Sequence, residues 1–353
     1  MLVNLSYLIS KPTGTTTYAL NLIPHLSSLN PCYLATAVSH LDQYYAVPAN
    51  MTAESGIAGH VRRLLWTQFR LPMICDQQSD RLLFSPITEA PLGSNCRFVV
   101  TVHDLTPLRF PHFSVALKWL YHYYVPQVLK SAEHIICDSE ATANDVVTFY
   151  GISANKITPI LLAHDASQFR PLNLATKNYF LVLGRHAPYK NLSGAVSAFA
   201  RLPKRDRYEL WIAGPYDPRY TPVLETQVAE MGLANQVKFL KYVPYERLPA
   251  LLNQAIALVF PSLWEGFGLP ALEAMACGTP VIASNLSSLP EVVGSAAWLI
   301  NPRNIDEITE AMGAIAASPQ LRQQLSEASI QRANWFSWEK TGKATVAVLE
   351  PYL

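Results

Sequence analysis

The sequence predicts an α/β protein made of two doubly wound domains, and three observations carry that prediction. Short apolar runs of strand length alternate with amphipathic helical stretches in two consecutive series. Half of the 353 residues are hydrophobic and only 15% are charged, as expected for parallel strands covered on both faces. A chain of this length is also long for a single core.

The elements follow in order. Residues 2–9 read as a strand, "SKPTGTTT" (10–17) as a loop, and the next stretch as a helix with Ala19, Leu22, Ile23 and Leu26 on one face. Residues 31–97 are less regular, with an amphipathic segment "HVRRLLWTQFRL" (60–71) and a strand "RLLFSP" (81–86). "RFVVTV" (97–102) is a strand that stops at His103-Asp104. Helical periodicity covers 114–130, then come strand "HIICDS" and helix "EATANDVVTFYG", closed by Gly151 as a left-handed cap. Proline, asparagine and lysine gather near 163–178, which places a boundary there. The domains read as 1–165 and 166–337, with 338–353 a last helix expected to return to the first domain. The second series runs "YFLVLGR", helix 191–202, "YELWIAGP", helix 221–231, "QVKFLKYV", helix 245–255 and "AIALVF" (255–260).

Composition excludes several functions. A formal net charge of +1 gives nothing that draws the whole molecule to nucleic acid. The nine histidines lack metal-protease spacing, and the five scattered cysteines contain no C-x-x-C pair, so free buried thiols are expected. "MLVNLSYLIS" has no basic leader and no small-residue cleavage site, and no apolar run approaches the ~20 residues of a membrane span. A cytoplasmic protein is the expectation.

In open α/β sheets, ligands bind beyond the carboxyl ends of the strands. Gly14, His103, Asp104 and Ser139 follow strands of the first domain, and Arg185 and Glu265 follow strands of the second. Two domains facing each other through these ends would enclose a cleft. The densest chemistry lies in "FPSLWEGFGLPALEAMACGTPVIAS" (260–284). Here a strand gives way to a glycine-bearing loop, then to a helix that opens at Pro270. Amides of Gly266, Phe267, Gly268 and Leu269 before a helix N-terminus suit an anionic phosphate. Glu265 can accept sugar hydroxyls, and Glu273, a turn into the helix, a vicinal diol such as ribose. Taken alone, Glu273 reads more simply as decoration of a helix surface.

"GFGLPA" also fits the dinucleotide fingerprint formally, but the following strand ends in Ser284-Asn285 where an acidic ribose ligand is required, so hydride transfer is disfavoured. "GRHAPYKN" holds Arg185 and Lys190 about a proline turn, a planar fork and a compact charge suited to a diphosphate. His103-Asp104 lacks the further histidines of a metal phosphohydrolase. No D-x-D occurs, so no carboxylate metal clamp is visible and no metal is expected.

Taken together, these motifs resemble the retaining glycosyltransferases of the GT-B fold, family 4, over almost the whole chain. "EGFGLPALEAMACGTPVIAS" carries an E-x7-E pair as Glu265 and Glu273, and "GRHAPYKN" is similar to the family's phosphate loop. "VVTVHDLTPLRFP", "IICDSEATANDVVTFYGI", "SSLPEVVG" and "FSW" are similar to its other segments. The resemblance implies two Rossmann-like domains facing across a cleft. It implies that Arg185 and Lys190 neutralise a leaving diphosphate, that Gly14 and residues 266–269 contact phosphate and sugar, and that Glu265 holds the transferred sugar. It gives Glu273 the ribose, His103 the donor sugar near the reacting centre, and backbone atoms near Tyr242-Val243 the base.

The implied donor is a GDP- or UDP-linked hexose, mannose slightly favoured, and the implied acceptor a glycan or lipid-linked glycan. No cofactor is expected, and front-face displacement is preferred to a glycosyl-enzyme. Two departures stand out: the first loop, "TGTTTY", has Gly14 without a second glycine, and "AHDA" (163–166) replaces the usual N-G-V-D. Alternatives on the same fold are a phosphorylase, a sugar-nucleotide epimerase and a non-catalytic sugar-nucleotide-binding partner subunit. For segment 60–71, with Arg62, Arg63 and Arg70 beside Leu64, Leu65, Trp66 and Phe69, packing on its own domain is preferred to peripheral membrane contact at the inner face.

Overall fold

The computed structural model describes residues 1–9, 13–36, 43–77, 82–110 and 113–353. Ser10, Lys11 and Pro12 of the first loop, Arg81 and Pro111 lie outside the described residues. The chain divides into two compact units, Met1–Leu162 with Trp338–Leu353, and Ala163–Ser337.

The first unit holds a seven-stranded sheet: β1 (Leu2–Asn4), β2 (Cys32–Ala35), β3 (Tyr44–Ala46), β4 (Leu82–Ser85), β5 (Arg97–Val102), β6 (His134–Cys137) and β7 (Ile157–Pro159). Their order is β3-β2-β1-β4-β5-β6-β7, with every pairing parallel. The first strand is shorter than the 2–9 expected. Ser6 donates from its amide and hydroxyl to Asn4 Oδ1 (3.2 and 2.7 Å), a local turn that ends the ladder. The irregular stretch 31–97 proves to contain β2, β3 and a helix, Gly56–Phe69, followed by a second, Leu71–Gln77. Leu83, Val100, Val102, Ile135 and Leu129 form part of a continuous buried cluster. The last helix, Trp338–Leu349, packs on the 3₁₀ turn Ile23–Leu29 within this unit. A Cβ on Gly342 would stand 2.2 Å from His25 Cβ, so only glycine permits this approach.

The second unit holds β8 (Tyr179–Leu183), β9 (Glu209–Ala213), β10 (Val237–Lys241), β11 (Ala257–Phe260), β12 (Val281–Ser284) and β13 (Trp298–Ile300). The order is β10-β9-β8-β11-β12-β13, again all parallel. Phe180, Val182, Ile212, Val259 and Ile282 pack with Phe199 and Met312 from the covering helices. Full burial of one such side chain contributes about 1.5–3 kcal/mol, which is why these strands read as unbroken apolar runs. In each sheet the sequence winds outward one way and then the other. The direction reverses between β1 and β4, and again between β8 and β11, which leaves a crevice at the carboxyl ends of those strands.

Candidate functional site

The crevice of the second unit lies between the loops that follow β8 and β11. A Cβ on Gly214 would meet the Gly184 carbonyl oxygen at 1.8 Å, so glycine lets the ends of β8 and β9 close together. After Gly184 come Arg185, exposed, and a 3₁₀ turn, Pro188–Lys190. Asn191, at φ 52°, takes the left-handed conformation that asparagine tolerates and donates to the Pro302 carbonyl (2.7 Å). That anchor fixes the preceding lysine. The two loops are laced together where the Leu263 amide donates to the Tyr189 carbonyl (2.7 Å).

Lys190 and Glu265 meet in this crevice. Nζ lies 2.6 Å from Oε1, with side chains only 13% and 11% exposed, and the ammonium also sits 5.4 Å from the centre of the Phe260 ring. A bond of this length between a lysine and a carboxyl group holds the two side chains in a fixed alignment. Arg185, exposed and five positions before Lys190, has no ion-pair partner among the described residues.

The loop after β11 opens as a cradle of amides. Gly268, at φ 105°, caps the helix Leu269–Ala276, and a Cβ there would lie 2.5 Å from Leu289 Cδ2. The amides of Phe267, Gly268 and Leu269 donate to no acceptor among the described residues. Unpaired donors at a helix N-terminus form an anion site. The loop is held from behind by two serines that the sequence reading passed over. Ser287 Oγ accepts from the Glu265 amide (3.0 Å), and the Ser288 hydroxyl lies 2.7 Å from the Phe267 carbonyl and 3.1 Å from that of Glu265. Ser287 reaches its bond from φ 56°, a conformation uncommon for serine. Their signal was the "SSLPEVVG" segment, legible as a match but not as a clamp.

Glu273 is not surface decoration. It is 8% exposed, its carboxyl meets no hydrogen-bond donor among the described residues, and burial, with the nearby Asp165 charge, pushes its pKa up to about 8. A carboxyl so placed awaits donors from a ligand. Asp165, which the sequence reading noted only within "AHDA", is thus part of this environment. Tyr242, half exposed, and Val243 follow β10, the outer strand two places from β8. Gly266 to Leu269, Glu265 and Lys190 are thus carried by two adjoining loops, and Glu273 by the helix that follows the second.

The remaining two predicted residues belong to the first unit. Gly14 is the first residue of the helix Gly14–Leu22, exposed, with Thr13 Oγ1 accepting from the Thr16 amide (3.4 Å). His103 follows β5 and is held at both ring nitrogens: Nδ1 lies 2.7 Å from Asp138 Oδ2, and Nε2 lies 2.9 Å from the Pro86 carbonyl. Both neighbours offer oxygen acceptors, an arrangement that favours a ring protonated at both nitrogens. Burial works against that charge, but the Asp138 carboxylate, by charge and hydrogen bond, and the Pro86 carbonyl together raise the pKa. Asp138 is the functional partner that sequence reasoning missed, although it too ends a strand. Ser139 serves as a helix cap, accepting from the Thr142 amide (3.1 Å). Among the described residues no group of three or more His, Cys, Asp or Glu is gathered as a metal cage.

Both halves of the chain are similar to known glycosyltransferases. Residues 165–332 match the family model "Glycosyl transferases group 1", and residues 12–168 match "Glycosyltransferase Family 4". O-antigen chain mannosyltransferase B of Escherichia coli is 31% identical over 264 residues, covering 71% of this chain and 69% of that protein. O-antigen chain mannosyltransferase RfbU of Salmonella typhimurium is 28% identical over 336 residues, covering 88% and 92%. Among solved structures, sucrose-phosphate synthase from Thermosynechococcus elongatus superimposes with a TM-score of 0.79 at 20% identity, covering 99% of this chain and 98% of that one. Anabaena HepE in complex with UDP and glucose does so with a TM-score of 0.78 at 18% identity, covering 99% of each. With two parallel-sheet Rossmann-like units, both halves matched and a relative above 30% identity, the chain belongs to glycosyltransferase family 4 and is a glycosyltransferase of the GT-B fold.

Proposed function

We propose that the protein transfers a hexose, mannose by preference, from a nucleoside-diphosphate sugar to a glycan or lipid-linked glycan, with retention and without a metal. The observation that carries the reading is the crevice of the second unit. There a cradle of unpaired amides adjoins the Lys190–Glu265 pair and a buried carboxyl that meets no donor. In this reading the β-phosphate of the donor takes the amides, Arg185 and Lys190. The sugar hydroxyls then replace Lys190 on Glu265, the ribose hydroxyls donate to Glu273, and the base lies against the backbone of Tyr242-Val243. Gly14 adds phosphate contact, and His103, held between Asp138 and the Pro86 carbonyl, contacts the donor sugar. The names of the bacterial relatives support mannose.

The chemistry follows from where charge develops. As the anomeric C–O bond to phosphate breaks, negative charge grows on the departing oxygen and the sugar becomes oxocarbenium-like. Fixed cations and amides stabilise that state more than the intact donor. The acceptor hydroxyl forms the new bond on the same face and passes its proton to the departing phosphate oxygen. No carboxylate is assigned as nucleophile, because in this reading Glu265 accepts the sugar hydroxyls and Glu273 the ribose.

A thermal-shift panel of nucleoside diphosphates and their sugars tests the reading, since a ligand bound only by the native state raises its stability by mass action. GDP-mannose is expected to stabilise the protein and to release GDP. Turnover is expected to persist in a strong chelator. A panel with no stabilising member, or activity lost on chelation and restored by Mg²⁺ or Mn²⁺, would overturn the reading or its metal-free form respectively.

A further inference from the structure

The helix Gly56–Phe69 in the first unit carries an apolar row that faces away from its own core. Ile57, Val61, Leu65 and Phe69 are 83%, 51%, 52% and 69% exposed, and they recur every fourth residue. At ~100° per residue they span roughly 120° of the helix surface. The opposite side is seated: Trp66 and Thr67 are buried, and Arg63 forks onto Glu89 (2.7 and 2.8 Å). A Cβ on Gly59 would meet the Thr52 carbonyl oxygen at 2.1 Å, so the helix lies against that turn as closely as backbone allows. This corrects the pattern read from sequence, in which Arg63 and Trp66 shared the candidate surface. They point inward, and Ile57 and Val61 take their place.

Packing on its own domain, the simpler reading of the segment, accounts for one face only. The outward row is more apolar than a solvated helix requires. A second row lies nearby in the chain's fold: Val115, Trp119 and Tyr123 are 83%, 58% and 62% exposed, again four residues apart. The two helical segments are tied where Gln68 donates to the Tyr124 hydroxyl (3.0 Å).

The geometry points to these rows as a docking surface for an anionic lipid bilayer. The charges decide the occupant. Residues 56–70 include no Asp or Glu, the exposed Arg62 flanks the apolar row, the exposed Arg70 follows Phe69 at the end of the helix, and Lys118 lies within the second segment. Apolar side chains entering the acyl boundary with cations at the headgroups, and Trp and Tyr at the interface, form the pattern of a monotopic contact. A two-fold dimer through the same row would gather the exposed Arg62 and Arg70 of both copies in one interface with no acid from residues 56–70 to pair them. No helix among the described residues is long and apolar enough to cross a membrane, so the contact is a surface one. The inference rests on the lipid-linked form of the proposed acceptor for its purpose, and on this helix for its evidence.

Co-sedimentation of the full chain with vesicles, without donor, tests it apart from catalysis. The protein is expected to pellet with phosphatidylcholine vesicles containing about 30% phosphatidylglycerol and to be released as NaCl rises from about 0.1 to about 0.5 M. Leu65→Glu with Phe69→Glu should lower the partition coefficient more than about tenfold. Arg62→Glu with Arg70→Glu should weaken binding to anionic vesicles and remove most of its salt dependence. All four positions are exposed, and circular dichroism verifies the fold of each variant. Absence of pelleting, or pelleting unchanged in Leu65→Glu/Phe69→Glu, overturns the proposal. So does a concentration-dependent dimer in sedimentation velocity that this double variant abolishes. GDP release measured with a soluble acceptor on the same variants reports on the transferase reading separately: lipid binding can fail while release persists, and the reverse.

Discussion

Lys190 and Glu273 test the site from opposite directions. Lys190 stands where charge grows during departure of the phosphate, and loss of one preorganised donor to such charge costs roughly 10²–10³ in rate. Lys190→Ala is expected to lower kcat by that factor with KM little changed. Glu273→Ala should instead raise KM, because ribose contacts are equal in ground and transition states. Steady-state kinetics with the preferred donor, on variants of verified fold, separate the two. An unchanged kcat in Lys190→Ala removes it from the chemistry. Glu273 also carries a pH signature. Its pKa rises from an ordinary carboxyl value to about 8 in the fold, so the native state binds that proton more tightly than the unfolded chain. The associated stability is fully present below the unfolded pKa and is lost as pH rises through the folded one, a loss of order several kcal/mol in full. Glu273→Gln should flatten the decline of unfolding free energy between about pH 5 and 8 relative to the parent protein. Denaturant titrations across that range are the check. Sequence alone supplied both residues, but the direct bond from Lys190 to Glu265 spans 75 positions and no local pattern reports it.

At the level of elements, the loop after β11 matters more than the helix it opens. Its shape depends on a glycine and two serines. Gly268 combines φ 105° with a near neighbour at 2.5 Å, and the Ser288 hydroxyl holds two carbonyls of the loop. Ser288→Ala leaves those buried carbonyls without their donor, a loss of about 1–3 kcal/mol. The amides then no longer aim at a fixed point. Lower kcat with a modest loss of donor affinity is expected, and Ser288→Thr should restore part of it. Equal kcat in parent and Ser288→Ala would reduce the clamp to a purely structural feature. Long apolar strands and their loops were legible because burial on both faces leaves an unbroken signature, as in β8, β11 and β12. The edge strand β3, Tyr44–Ala46, was not, since all three residues are exposed and its pairing is set by β2 rather than by its own pattern. The first strand was read too long because the Asn4–Ser6 turn is a side-chain device inside an apolar run.

Across the whole molecule, the chain leaves the first unit at Leu162 and re-enters it at Trp338. The returning helix is bound by the Gly342–His25 approach, by the Thr341 hydroxyl donating to the Leu161 carbonyl (2.7 Å) and by Arg97 donating to the Tyr352 carbonyl (3.0 Å). A chain ending at Ser337 should therefore destabilise the first unit and spare the second. Hydrogen exchange is expected to rise over β1 and the Gly14–Leu22 helix while β8 to β13 keep their protection, and uniform protection in the shortened chain would contradict this. The same return path sets an order of assembly on the ribosome. The second unit is continuous in sequence, whereas the first needs residues made after the second. The first unit, although made first, is finished last. Until Trp338–Leu353 has been made, the face that receives it remains open, and a chain stalled before Trp338 would present that face to chaperones and proteases.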